Sequence, residues 1–171
     1  MNESATVSTD RPDGFVRVQA ALAQARHPYA PQWLEVAART SQEAADALGV
    51  SLGQIAKSVV FKRKSDEAAV LVITSGDKRV DEKKLAPHTG ALGRADADYV
   101  KARTGFSIGG VSPLGFAPAA DASLPLLFVD QELFRFDVIW AAAGHPNGVF
   151  QMSPAELAAL TGAPVIDVVQ A

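Results

Sequence analysis

Phe15, Val18, Leu22 and Ala25 recur every three to four positions and predict a first amphipathic helix. His27-Pro28 closes it, because the residue before a proline is driven out of the helical region. A short apolar stretch at 33–36 reads as an extended strand. A second helix follows with a start and a stop: Thr40 and Glu43 have capping-box spacing, and Gly49 ends the apolar period. Residues 58–61 and 69–74 are strand candidates, joined by the polar run Lys62-Arg63-Lys64-Ser65-Asp66-Glu67, which reads as a hairpin loop. Asp81 and Asp98 are placed to cap helices reaching about His88 and Arg103. Residues 104–116, TGFSIGGVSPLGF, are too rich in glycine for a helix and form a structured loop. Further strands are expected at 124–129, 138–143 and 148–152, the last two separated by a turn at 144–148. Ser153-Pro154-Ala155-Glu156 opens a last helix, Gly162 closes it, and 165–169 supplies an edge strand.

Helices interleaved with strands, together with hairpins, predict an α/β fold of the α+β type with a mixed central sheet. The chain has 171 residues, of which 48% are apolar and 20% charged, so one domain with its own core is expected. That domain is read over 13–171. Residues 1–12 are almost devoid of apolar side chains and read as a disordered tail. Cysteine is absent, which removes disulfides, thiolate nucleophiles and Cys-ligated metals. No apolar run reaches the roughly 20 residues of a membrane helix. The polar N-terminus has no hydrophobic signal region, so a cytoplasmic protein with no membrane partner is expected.

The net charge of −3 argues against a generic polyanion binder and for no DNA partner. Its distribution is uneven. Residues 57–103 hold 11 Lys/Arg against 7 Asp/Glu, a balance of +4, while the remainder carries −7. A local excess of this size suits brief contact with phosphates better than tight wrapping.

Common catalytic signatures are missing. His27, His88 and His145 are dispersed and lack ligand spacing, so neither a metal nor another cofactor is expected. Gly110 and Gly115 have phosphate-loop spacing, but Phe116 stands where the lysine belongs. Gly110-Val111-Ser112 starts like a nucleophile elbow, yet Leu114 replaces the second glycine. Three features remain. Lys57 lies between Ile55-Ala56 and Val59-Val60-Phe61, an apolar setting in which an ammonium needs a partner or an outlet to solvent. Gly109-Gly110 lets the backbone approach a ligand closely, and Pro113 stiffens the same loop. His145, in the turn 144–148, is a candidate to titrate or to donate to a substrate near neutral pH.

The strings EAADALGV (43–50), QIAKSVVF (54–61), TGFSIGGVSPLG (104–115) and WAAAGHPNGVFQMSPAEL (140–157) together resemble the YbaK/prolyl-tRNA-synthetase-associated editing domain family. The resemblance runs from about residue 15 to 169. It implies a strongly curved mixed sheet surrounded by helices. The implied activity is metal-independent hydrolysis of the ester linking a wrong small amino acid, such as Ala, Cys or Ser, to a tRNA, usually the proline tRNA. Lys57 matches the family's functional lysine and Gly109 the first glycine of its GxxxP loop, which makes these two the catalytic candidates. Gly110, Ser112, Pro113 and His145 are the substrate-binding candidates. The implied partners are the acceptor end of an aminoacyl-tRNA and, beyond it, prolyl-tRNA synthetase. A competing expectation is a non-catalytic module that binds the acceptor end or a synthetase. The enzyme requires Lys57 and the Gly109 backbone to face one cavity, and the binding module predicts that they diverge.

Overall fold

The computed structural model describes residues 11–171. The expected tail therefore lies outside the described residues for 1–10. Its last two residues are described, and the Arg11 guanidinium sits 4.4 Å from the centre of the Trp33 ring.

Five helices and eight strands are present among the described residues, with two short 3₁₀ turns. The helices are α1 (Asp13–Gln24), α2 (Ser41–Leu48), α3 (Glu82–Thr89), α4 (Ala97–Thr104) and α5 (Pro154–Thr161). The strands are β1 (Gln32–Trp33), β2 (Ile55–Arg63), β3 (Ala69–Ser75), β4 (Leu92–Arg94), β5 (Leu126–Asp130), β6 (Ile139–Ala142), β7 (Gly148–Met152) and β8 (Val165–Ile166). They form one mixed sheet in the order β1-β7-β6-β2-β3-β5-β8, with β4 attached to β2.

The start and stop signals act as read. Thr40 and Glu43 form a reciprocal capping box and Gly49 ends α2 in the left-handed conformation. Ser153, Pro154 and Glu156 do the same for α5, and Gly162 closes it. Three expectations need correction. α4 is capped by Asp96, whose carboxylate accepts from the Tyr99 N–H, and Asp98 lies inside the first turn. The strand expected over 33–36 is only Gln32–Trp33, because beyond it the Leu34 and Ala38 N–H groups bond to carbonyls of the 144–148 turn. The edge strand stops at Ile166, after which Val169 makes an isolated bridge to Val80.

β3 is the axis of the core. It is buried on both faces, with Leu71 and Ile73 in one cluster and Val70 and Val72 in another, which is why it reads as an unbroken apolar run. The larger cluster holds Phe15, Val18 and Leu22 of α1, Val100 of α4 and Leu157 of α5. The smaller one, on the opposite face, is closed by Leu85 of α3 and Val168.

Candidate functional site

β2 is the strand that builds the site. Its odd-numbered residues bond to β3: Arg63 N–H donates to the Ala68 carbonyl at 2.8 Å, and Gly76 N–H donates to the Ile55 carbonyl at 2.8 Å. The alternation of an antiparallel ladder turns the main-chain groups of the even-numbered residues to the other edge. There β6 pairs with Ile55 and Ala56, and β4 pairs with residues 61–63. No strand among the described residues pairs with the middle. The N–H and C=O groups of Ser58 and Val60 therefore face a gap in the sheet, and that gap is the floor of a cleft of about 580 Å³. Among the described residues, three buried hydroxyls without a hydrogen-bond partner lie on adjacent rungs of the β2–β3 ladder: Ser58, which lines the cleft, and on β3 Thr74 opposite Lys57 and Ser75 opposite Ala56.

Lys57 and Gly109 both line this cleft. The Lys57 ammonium donates to the Lys78 carbonyl at 3.0 Å. Burial, reinforced by the nearby Arg79 charge and opposed by Asp77, holds its pKa below the ordinary lysine value. Gly109 has φ +92°, a conformation that side-chain-bearing residues rarely adopt. A Cβ there would point at Arg39, at 3.6 Å from its Cγ. The Gly109 loop is held at both ends by one side chain of α1. Arg17 donates to the Gly115 carbonyl at 3.1 Å and to the Gly105 carbonyl at 2.7 Å.

The other candidates stand behind the cleft. Ser112 and Pro113 are buried, do not line the cleft, and brace the loop; the Ser112 hydroxyl accepts from the Leu114 N–H at 3.2 Å. Gly110 presses against the 144–148 turn so closely that a Cβ would lie 2.7 Å from the His145 Cα. Gly110 and His145 share a smaller recess of about 150 Å³. The His145 ring stacks on Trp33, centroids 4.9 Å apart, and its Nδ1 accepts from the Asn147 N–H at 3.1 Å. Burial, with Arg39 adding to it, lowers its pKa below the usual imidazole value.

A family model for the aminoacyl-tRNA editing domain matches residues 35–160. The chain belongs to the aminoacyl-tRNA editing domain family. It is 35% identical over 124 residues to YwhH, an uncharacterized protein of Bacillus subtilis, covering 72% of this chain and 75% of that one. Over 79 residues, 45% of this chain, it is 38% identical to a proline–tRNA ligase of Pelotomaculum thermopropionicum, of which the match spans 14%. The crystal structure of a proposed trans-editing enzyme for prolyl tRNA synthetase superposes with a TM-score of 0.81 at 36% identity, over 94% of this chain and 99% of that one.

Sequence reasoning missed several parts of this editing domain's cleft. Arg39, Thr40, Ser41 and Gln42 form one wall, at the N-terminal end of α2, and Trp140–Ala142 of β6 form another. Arg39 is exposed and makes no ion pair among the described residues, because Glu43 directs its carboxylate to the Arg39 and Thr40 N–H groups. The capping box was legible, but nothing in its sequence says that the helix it starts borders a cavity. None of residues 27–36 lines the cleft.

Proposed function

We propose that this chain is a trans-editing deacylase, which hydrolyses the ester of a tRNA carrying a small wrong amino acid such as Ala, Cys or Ser, with the proline tRNA as its natural carrier. The observation that supports this reading over a pure binding module is that Lys57 and the Gly109 backbone face one cleft. Its volume of about 580 Å³ suits a nucleoside ester. No membrane attachment is needed, and no described helix is long and apolar enough to cross a bilayer.

The chemistry asks little of the protein. An aminoacyl ester is already activated, and the neighbouring ribose hydroxyl helps to position the attacking water. The protein contributes orientation and electrostatic stabilisation, without a resident metal. Lys57 supplies a fixed positive charge beside the ester or its terminal nucleotide. The open Ser58 and Val60 main-chain groups supply donors and acceptors that need no rearrangement. Gly109, whose φ of +92° disfavours any side chain, leaves bare backbone where the aminoacyl group is to lie. Neutral His145 sits behind this loop and holds the turn that Gly110 packs against.

Selection against correctly charged tRNA works by exclusion. One methylene in an apolar pocket is worth only about 1–3 kcal/mol, too little for attraction alone to discriminate. A loop clamped by Arg17 and stiffened by Pro113 resists the movement needed to admit a larger ring. Loss of activity in a folded Lys57→Ala protein, on a tRNA substrate that the native chain hydrolyses, is the test. Lys57→Ala activity equal to the native protein's removes the assignment.

A further inference from the structure

The cleft leads to a second feature. Ala56, Ser58, Val60 and Lys62 share one face of β2, and Val60 forms the end of the cleft together with Ala95 and Val100 of the neighbouring β4–α4 segment. Immediately beyond, Lys62 and α4 meet. The Lys62 Nζ lies 4.9 Å from the centre of the Tyr99 ring, and the Arg103 Cζ lies 5.1 Å from the same centre. The ring is anchored, because its hydroxyl donates to the Glu67 carbonyl.

Two half-buried cations thus converge on one ring, and neither makes an ion pair among the described residues. The nearest carboxylates are engaged elsewhere. Asp66 is held by two hydrogen bonds from Arg63, and Asp96 caps α4. Glu67 and Asp98 are the remaining acids nearby, against Lys64, Arg94 and Lys101 on the basic side. Like charges brought together without a counter-charge repel, and an anion between them relieves that cost. A guanidinium and an ammonium side by side suit a phosphodiester.

We infer that Lys62 and Arg103, mounted on Tyr99, form a phosphate-contacting surface for the RNA strand that leaves the cleft, where the single-stranded 3′ end meets the acceptor-stem duplex. The inference rests on the aminoacyl-tRNA reading above. β2 sets the distance. Five residues separate Lys57 from Lys62, so their side chains leave opposite faces of β2. Ser58, at the cleft floor on the Lys62 face, lies four residues from Lys62, about 13 Å at ~3.3 Å each. That corresponds to roughly four stacked nucleotides at ~3.4 Å, and to fewer when the strand is extended. A strand whose terminal ester lies over Ser58 at the cleft floor reaches Tyr99 after its unpaired end.

The test uses the whole protein and an uncharged RNA hairpin that reproduces an acceptor stem with its 3′ tail, followed by fluorescence anisotropy across a salt series. The Lys62→Gln/Arg103→Gln variant is expected to bind about tenfold more weakly at low salt. Its log–log salt slope should fall by about 1.5, the value for two lost phosphate contacts. Lys83→Gln, on α3 across the sheet, leaves both unchanged, and Lys62→Arg/Arg103→Lys retains the native slope, which separates charge from folding. In parallel, the double Gln variant should show a raised KM on full aminoacyl-tRNA and native hydrolysis of an aminoacylated terminal adenosine. Hairpin binding with native affinity and slope in the double Gln variant overturns the surface, whatever the hydrolysis. A native protein that hydrolyses no charged tRNA, with hairpin binding still lost in the variant, overturns the deacylase and leaves the surface standing.

Discussion

Lys57 carries a positive charge that burial disfavours. Its pKa is lower in the folded chain than in the unfolded one, so between that lowered value and the ordinary 10.5 the unfolded state binds more protons and stability rises with pH. A charge held on Lys57 there comes at a cost to folding. Lys57→Met is therefore expected to melt at the native temperature or above it, while hydrolysis falls on the order of a hundredfold. A thermal melt and a single-turnover assay on the same sample check both halves. His145 has the same direction of shift and a different window. Its folded state resists protonation, so stability should fall as pH drops from the ordinary 6.5 through the lowered value. Melting temperatures taken in half-unit pH steps should show that loss in the native protein and a smaller one in His145→Gln. Equal profiles would mean that the stacked imidazole is not the titrating group.

At the scale of elements, Gly110 ties the loop to the 144–148 turn. A Cβ at Gly110 would meet main-chain atoms of His145 at 2.7–3.0 Å, and backbone cannot swing aside as a side-chain tip can. Gly110→Ala is expected to cost about 1–3 kcal/mol, seen as a melting point several degrees lower, with hydrolysis lost as the loop moves. A native melting temperature would show that the two loops separate freely. The elements that could be read in advance are those whose ends carry their own chemistry. Thr40 with Glu43 and Ser153 with Glu156 are local hydrogen-bonding units, so α2 and α5 came out residue for residue. β4 escaped notice because it is three residues long with Gly93 at its centre, and only pairing with β2 makes it a strand. The start of α4 was displaced by two residues because Asp96 and Asp98 are equally good caps locally. Packing decides between them, by burying Val100 and Thr104 on the core side.

For the molecule as a whole, two of the site's parts were legible and the cavity was not. Lys57 stood out as a cation in an apolar strand, and Gly109 as half of a glycine pair. Their meeting depends on β6 and β4 flanking β2 without covering its middle, a consequence of tertiary pairing that no local pattern encodes. The same holds for Arg39, brought to the cleft by α2, and for Arg17, which holds the loop from the far side of the chain. The charge split is also resolved at this scale. An acidic protein with net charge −3 gathers Lys62, Arg103 and their neighbours at one end of the cleft, so its affinity for tRNA should weaken as salt rises. The central claim is hydrolysis with exclusion. It is tested most directly by measuring deacylation rates on tRNA for proline charged in turn with Ala, Ser, Cys, Thr and Pro. The expected result is rapid loss of at least one of the small residues Ala, Ser and Cys, with the Pro ester left intact. Hydrolysis of none of the five, or of the Pro ester as fast as the rest, would contradict it.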